Sequence, residues 1–188
     1  HRAIINTYLC LTGSTIAVFV STPFTHHGRL EMETILNSTL AGGVVIGSTA
    51  DLITLPWVSI FIGFFIGIIS VIGYRIINPF LVEKIQYQDT CGVLYLHGIP
   101  GFIGAVISII ISGAASESIY GPSLFLLFPK LENGRSSRGQ AGIQVAQIMI
   151  SLGTAIVGGI LTGFILKSSM FSNIENLFND NVLFEIPE

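Results

Sequence analysis

The sequence carries five apolar segments, and each is long enough to cross the hydrocarbon core of a membrane. A transmembrane α-helix needs about 20 consecutive, predominantly apolar residues. The segments cover residues 3–23, 35–56, 57–77, 90–113 and 141–166. They predict an all-α membrane protein, a polytopic helical bundle over residues 1–166, followed by a polar tail over residues 167–188.

The share of charged residues also indicates a membrane environment. Of the 188 residues, 51% are hydrophobic and only 10% are charged, whereas soluble domains contain about 25% charged residues. A chain this poor in charge cannot cover its own surface in water, so the lipid bilayer must cover part of it. The net charge of −3 argues against a nucleic-acid partner.

The chain starts at His1, not at a methionine, and leads directly into the first apolar segment without a visible signal peptide. We therefore expect a fragment that begins at the mouth of a helix. The positive-inside rule does not orient it, because each side of the predicted bundle collects four basic residues. We expect Cys10 and Cys91 to be small buried residues, with no disulfide framework or zinc site.

Glycines recur at four-residue intervals in three of the segments. The pairs are Gly43 and Gly47, Gly63 and Gly67, and Gly159 and Gly163. This spacing places small residues on one helix face, where they let two backbones approach closely in a bilayer. We therefore expect these helices to pack on one another.

His97 is the only histidine, acidic or basic residue in the fourth segment. An ionisable group at membrane depth is costly and points to function, but a neutral histidine bonded to a neighbouring helix fits the position equally well. At helical spacing, one candidate pore or packing face contains Thr90, Leu94, His97, Gly101 and Gly104. A single imidazole on such a face suits a narrow passage, and Pro100 is expected to kink the helix just past it.

Asp89 opens the same segment, eight residues before His97 and about 12 Å away if the intervening chain is helical. An aspartate at a helix start caps free backbone N–H groups. A carboxylate at the mouth of a pore also attracts cations, and the two roles are compatible. Asp51, at the end of the second segment, is expected to face water at the interface.

Motifs for catalysis are absent from the sequence. It has no glycine-rich phosphate loop with a lysine, no histidine cluster for a di-iron centre, and no serine or cysteine nucleophile close to a histidine. The adjacent side chains of His26 and His27 point in different directions and form a poor metal site. We predict no enzymatic activity, no metal site and no cofactor, and we expect the passage of a small solute.

Several stretches resemble one family. The strongest are residues 89–92, DTCG, followed by residues 96–101, LHGIPG. Four other stretches agree in order along the chain: residues 1–8, 37–44, 62–70 and 184–188. Together they resemble the Rh glycoprotein branch of the Amt/Rh ammonium channels, over nearly the whole chain. Residues 94 and 95, Leu-Tyr, depart from the polar residues common in the family, and Asp51 stands where glutamate is common.

The resemblance implies an architecture and a set of functional residues. The family fold is an inverted repeat of five helices plus five, and this chain would form the second half. Two histidines face each other at the middle of each pore, and His97 matches the second of them. Asp89 matches the buried acidic residue at the start of that helix. The first histidine, its acidic partner and the aromatic gate belong to the first half of a family chain.

The resemblance also implies partners and a location. The solute would be ammonia or ammonium, with carbon dioxide as a second solute. Three subunits would form a homotrimer, or a heterotrimer with paralogues, in the plasma membrane. The family topology places the C-terminus, and with it residues 167–188, in the cytosol.

Three functions remain open at this stage. In the leading hypothesis, ammonium gives up a proton near the pore mouth and ammonia crosses an apolar pore past a midplane histidine. In the second, the chain belongs to a non-conducting Rh-like subunit of a membrane complex. The third is an unrelated transporter with a histidine at mid-membrane.

Overall fold

A computed structural model of the chain describes residues 1–168. The predicted tail lies outside the described residues from position 169 onward. The chain divides into two compact units, His1–Ile148 and Met149–Glu188. The helices are α1 (Arg2–Thr25), α2 (Met32–Ile46), α3 (Pro56–Ile85), α4 (Leu94–Ala114), the short α5 (Glu117–Tyr120), α6 (Leu124–Leu127) and α7 (Pro129–Glu132), and α8 (Ser137–Leu166).

Four of these helices, α1, α3, α4 and α8, are long and apolar enough to cross a membrane. Helix α8 begins in the first unit and continues into the second. The helical architecture agrees with the predicted class of polytopic α-helical membrane protein. The predicted spans 3–23, 57–77, 90–113 and 141–166 each overlap one of the four long helices.

Helices α1 and α3 pack with their backbones almost in contact. A Cβ added at Gly63 of α3 would lie 1.9 Å from the carbonyl oxygen of Cys10, and one at Gly13 of α1 would lie 2.1 Å from that of Ile60. Only glycine fits at such crossings. The predicted packing role of Gly63 is therefore confirmed.

Helix α2 is shorter than predicted. It has 15 residues and ends at Ile46, so at 1.5 Å per residue it is about 22 Å long, less than the roughly 30 Å hydrocarbon core. The chain then runs through a non-helical connector, residues 47–55. Polar residues such as Thr49 and Asp51 favour turns over helix because they compete for backbone hydrogen bonds.

Helix α3 is longer than predicted and continues past residue 77, the end of the predicted span, to Ile85. It passes this point through a π turn, Gly73–Ile77, in which the N–H of Asn78 bonds to the carbonyl of Gly73. Proline has no N–H and its ring clashes with the preceding turn of a regular helix. The wider turn accommodates Pro79, so the helix is not broken there.

The connector between α4 and α8 lies outside the predicted spans and forms a folded cap of short helices. Leu52, Tyr120, Leu124 and Phe128 are buried together in one apolar cluster. The Tyr120 hydroxyl also donates to the carbonyl of Leu52 at 2.8 Å. This cap packs on residues 47–55 and holds that connector from one side.

Candidate functional site

Asp89 lies in the turn before α4 and not on the helix itself. Its carboxylate accepts one hydrogen bond from the N–H of Val93 at 2.8 Å and another from that of Leu94 at 2.9 Å. The next two N–H groups of the helix both donate to the carbonyl of Gly92 at 3.0 Å. The free donors of the helix start are thereby satisfied, and the predicted capping role of Asp89 is confirmed.

The turn that presents Asp89 depends on Gly92. This residue has φ +63, which side chains rarely tolerate, and an added Cβ would lie 1.9 Å from Cε1 of Tyr74. The Tyr74 hydroxyl donates to the Gly92 carbonyl at 2.9 Å. Helix α3 therefore fixes the turn by packing a ring against it and by binding its backbone.

His97 lies in a π turn, Leu94–Gly98, at the start of α4. The N–H of Ile99 donates to the carbonyl of Leu94, five residues back, and Pro100 follows. The histidine thus lies in a widened turn directly before the proline that was predicted to kink the helix. The physical cause is the one seen at Pro79, because a proline is tolerated only where the preceding turn opens.

The residues predicted to share one pore or packing face of α4 do not all lie on one face in the structure. Thr90 lies in the turn before the helix. Gly104 is buried in the contact with α2, where an added Cβ would lie 2.2 Å from the carbonyl oxygen of Val45. Gly101 meets only one side-chain atom at 4.0 Å, and His97 is exposed. The wider π turn changes the angle per residue, so spacing rules for a regular helix do not carry across it.

Leu94 and Cys91 complete the placement of the predicted residues. Leu94 is half-buried at the first position of the π turn, where it contacts Gly98. Cys91 is exposed, contrary to the prediction, because it lies in the turn before α4 and not in the helix. Cys10, in the α1–α3 contact, is buried as predicted.

A polar cleft of about 250 Å³ adjoins Asp89 at this end of the bundle. Its lining includes Glu31, which accepts a hydrogen bond from the Thr34 hydroxyl. His26 Nε2 lies 2.6 Å and Arg75 Nη1 3.7 Å from the same carboxylate oxygen. The pKa of Glu31 is lowered, mainly by the Thr34 hydrogen bond and further by His26 and Arg75, against the opposing effect of burial.

Over residues 1–168, no group of three or more histidine, cysteine, aspartate or glutamate side chains is placed to hold a metal ion. The carboxylates of Glu31 and Asp89 instead bind neighbouring side chains or the backbone.

The sequence did not single out the side chains of α3 that contact the His97 turn. Ser70 donates to the carbonyl of Tyr95 at 3.1 Å, and the buried ring of Tyr95 lies so close to Gly73 that an added Cβ would be 2.2 Å from it. Pro100 was the available signal, since a proline within a helix leaves a carbonyl in need of a donor. Nothing in the sequence shows which helix supplies that donor.

Comparisons with known proteins identify the family. The family model described as the Ammonium Transporter Family matches residues 1–176. The chain is 38% identical over 191 residues to the ammonium transporter Rh type B of Takifugu rubripes, covering 100% of this chain and 42% of that protein. It is 40% identical over 194 residues to the ammonium transporter Rh type C of Oncorhynchus mykiss, covering 100% of this chain and 39% of that protein.

A solved structure agrees with these sequence relatives. It is described as Nitrosomonas europaea Rh50 and the mechanism of conduction by the Rhesus protein family of channels. The TM-score is 0.75 at 32% identity, and the match covers 97% of this chain and 41% of that chain. This chain thus spans about two fifths of the length of the relatives it matches.

These findings separate the open hypotheses. A transport family agrees with the prediction that the chain is not an enzyme, and it removes the unrelated transporter from consideration. The Rh type B and type C relatives and the Rh50 structure confirm the branch that the motifs around Asp89 and His97 resemble. The chain belongs to the ammonium transporter family, in its Rh branch.

Proposed function

We propose that this chain forms the second half of a membrane channel for ammonia and ammonium, and that His97 lines its pore. The observation that carries the proposal is the placement of His97. It is an exposed imidazole within an otherwise apolar helix, on a π turn at the start of that helix. The names of the relatives, ammonium transporter Rh types B and C, supply the solute.

The mechanism follows from the cost of charge in an apolar passage. On insertion scales, a charged side chain at mid-membrane costs about 2.5–3.5 kcal/mol, and a bare ammonium ion faces a comparable barrier. Potassium has the same charge and a similar size, so a pore that required the intact cation could not reject it. When ammonium loses its proton at the mouth, the resulting neutral ammonia crosses without this barrier. Potassium has no proton to lose, so the barrier remains for it.

A neutral imidazole suits the pore lining because it has one donor and one acceptor nitrogen. It can hydrogen-bond ammonia or relay a proton without a fixed positive charge. The inverted repeat of the family supplies a second histidine from the other half, which would face His97. Sites of this kind form at the interface between repeats, which accounts for the exposure of His97 when its half is described alone.

Asp89 has a supporting place in this proposal. Both of its oxygens bind backbone N–H groups, so its main role is to hold the start of the helix that carries His97. Its negative charge remains beside the polar cleft and favours cations at the mouth. We further propose a homotrimer, or a heterotrimer with paralogues, in the plasma membrane with a cytosolic C-terminus, and carbon dioxide as a second solute.

The test replaces His97 with glutamate in the full-length protein in proteoliposomes. A fixed carboxylate stabilises the intact cation, so His97→Glu is expected to raise the ammonium or potassium current relative to ammonia uptake. Stopped-flow uptake and current are both normalised to folded protein. His27→Glu is the control, because it makes the same change in the exposed connector between α1 and α2.

Two results would contradict parts of the proposal. Unchanged flux and selectivity in well-folded His97→Glu protein would remove His97 from the conduction path. A wild-type protein that folds and assembles but passes no ammonia would favour the alternative, a non-conducting Rh-like subunit of a membrane complex.

A further inference from the structure

The π turn at His97 leaves the backbone carbonyl of Tyr95 without a donor from its own helix. In a regular helix the carbonyl of Tyr95 would bond to the N–H of Ile99, but that N–H donates to Leu94 instead. In a continued π turn the donor would be residue 100, which is a proline and has no N–H. The Tyr95 carbonyl, two residues before His97, therefore depends on a donor from elsewhere.

Ser70 of α3 supplies that donor. Its hydroxyl lies 3.1 Å from the Tyr95 oxygen, and the serine is 1% exposed. A carbonyl left unsatisfied in an apolar interior costs about 1–3 kcal/mol. The hydrogen bond from Ser70 therefore replaces the backbone donor that Pro100 lacks.

Four threonines of α1 behave differently from Ser70. Thr7, Thr12, Thr15 and Thr22 each donate to the carbonyl four residues back in their own helix. This local bond is the usual choice of a hydroxyl within a helix. Ser70 instead reaches across to α4, so its bond is a tertiary contact directed at the His97 turn.

Two neighbours of Ser70 on α3 hold the same segment. Gly73 leaves room for the Tyr95 ring, and the Tyr74 hydroxyl binds the Gly92 carbonyl. The Tyr74 and Tyr95 rings lie 5.5 Å apart between centroids. The backbone that leads to His97 is therefore fixed to α3 at Gly92 and at Tyr95.

We propose that Ser70 is a positioning residue for the pore histidine, because it satisfies the carbonyl that Pro100 frees and so sets the π turn from which His97 projects. This inference rests on the proposed function. It adds a residue that contacts neither the solute nor the imidazole and acts only through the backbone of α4.

The first experiment is a double-mutant cycle in the full-length protein with Ser70→Ala and Pro100→Ala. Ser70→Ala alone is expected to lower the folded-to-unfolded ratio by about fivefold or more. With alanine at position 100, a backbone N–H becomes available, so Ser70→Ala then costs little and the two effects are not additive. The control is Ser14→Ala, since Ser14 also donates across helices, to the carbonyl of Ser38 at 2.8 Å, away from any proline.

The second readout is the ratio of methylammonium to ammonia uptake, which does not depend on how much protein folds. Ser70→Ala is expected to change this ratio by about threefold or more, because small displacements at a selective site have large effects. Ser14→Ala is expected to leave the uptake ratio unchanged, even where it lowers stability as much as Ser70→Ala does. If Ser70→Ala yields too little protein, Ser70→Cys keeps a weaker donor of similar size and is expected to shift the ratio in the same direction.

An additive cycle, or an unchanged uptake ratio in folded Ser70 variants, would overturn the inference. Failure of the proposed function looks different, since the wild-type protein itself would then pass no ammonia. In that case the double-mutant cycle on stability alone tests whether Ser70 supplies the donor that Pro100 lacks. Additive effects of the two substitutions would show that it does not.

Discussion

At the scale of single residues, Asp89 combines two kinds of stabilisation in one side chain. Each carboxylate oxygen accepts a backbone N–H of α4, and its negative charge lies where the helix dipole is positive. Hydrogen bonds to a charged acceptor contribute more than those between neutral groups. The π turn begins at Leu94, one of the two residues that Asp89 holds, so the cap and the His97 turn form one continuous structure.

Substitutions at Asp89 should separate its capping from its charge. Asp89→Ala removes both acceptors and is expected to cost about 1–3 kcal/mol, lowering both folded yield and flux. Asp89→Asn keeps one acceptor oxygen and is expected to retain much of the yield. Yield is measured as folded protein by size exclusion, and flux by stopped-flow uptake.

Asp51→Ala provides the matched control for Asp89. Asp51 contacts Arg2 through its backbone carbonyl, so the alanine variant keeps that contact and should fold normally. Normal yield together with normal flux in Asp89→Ala would argue against both roles of Asp89.

Sequence alone singled out His97 and Asp89 as candidates because each is a rare residue type in an apolar setting. It could not identify Ser70, Tyr74 or Tyr95. Serine and tyrosine are tolerated in many membrane helices, and their roles here come from the residue opposite them on another helix. Such pairing is fixed by tertiary structure and leaves no periodic trace in the chain.

At the scale of elements, the connector at residues 47–55 explains how a short α2 is tolerated. Non-helical backbone near a membrane needs partners for its polar groups, and here side chains provide them. The buried amide of Asn6 donates to the carbonyls of Ala50 and Ile53, both at 2.8 Å. Tyr120 and Arg2 bind two more carbonyls of the same segment.

Replacing Asn6 should therefore destabilise the bundle. Asn6→Leu keeps a similar volume but leaves two buried carbonyls without a donor, and it is expected to cost about 2 kcal/mol or more. The measurement is the melting temperature of the full-length protein in detergent. Thr12→Val is the control, because the exposed Thr12 hydroxyl bonds only within its own helix, and an equal effect of both variants would refute the special role of Asn6.

Apolar length predicted which segments are long helices but not where they are interrupted. Residues 35–56 were predicted as one span because hydrophobicity does not reveal that Asn6 is placed to bind the carbonyls of the connector. Helix α3 was ended too early at Asn78–Pro79 because the rule for proline assumes a regular α-turn before it. Both differences arise from hydrogen bonds that composition does not encode.

At the scale of the whole molecule, the described part of the chain leaves large apolar surfaces uncovered. Residues of α8 are unburied along its length, and Trp57, Phe61 and Phe65 of α3 are each more than half exposed. The relatives are more than twice as long, since the chain covers 42% of the Rh type B protein. Lipid is a natural partner for such surfaces, and in a protein as long as these relatives the other half would cover part of them.

We predict that these 188 residues insert into liposomes but do not conduct when produced alone. Half of an inverted repeat lacks the interface at which the site forms. The measurement is stopped-flow ammonia uptake, compared with the full-length protein at equal inserted mass. Uptake above that of protein-free liposomes would contradict the prediction, and protease protection would verify insertion.

The way the connector at residues 47–55 is held has a consequence for sequence drift. The side chains that hold it donate hydrogen bonds to backbone carbonyl oxygens, and they belong to Asn6, Tyr120 and Arg2. Every amino acid has such a carbonyl. Exposed positions in the connector, such as Ser48 and Thr54, are therefore free to change without loosening its path. Selection for that path falls instead on donors located elsewhere in the chain, so the connector can diverge between homologues while its shape persists.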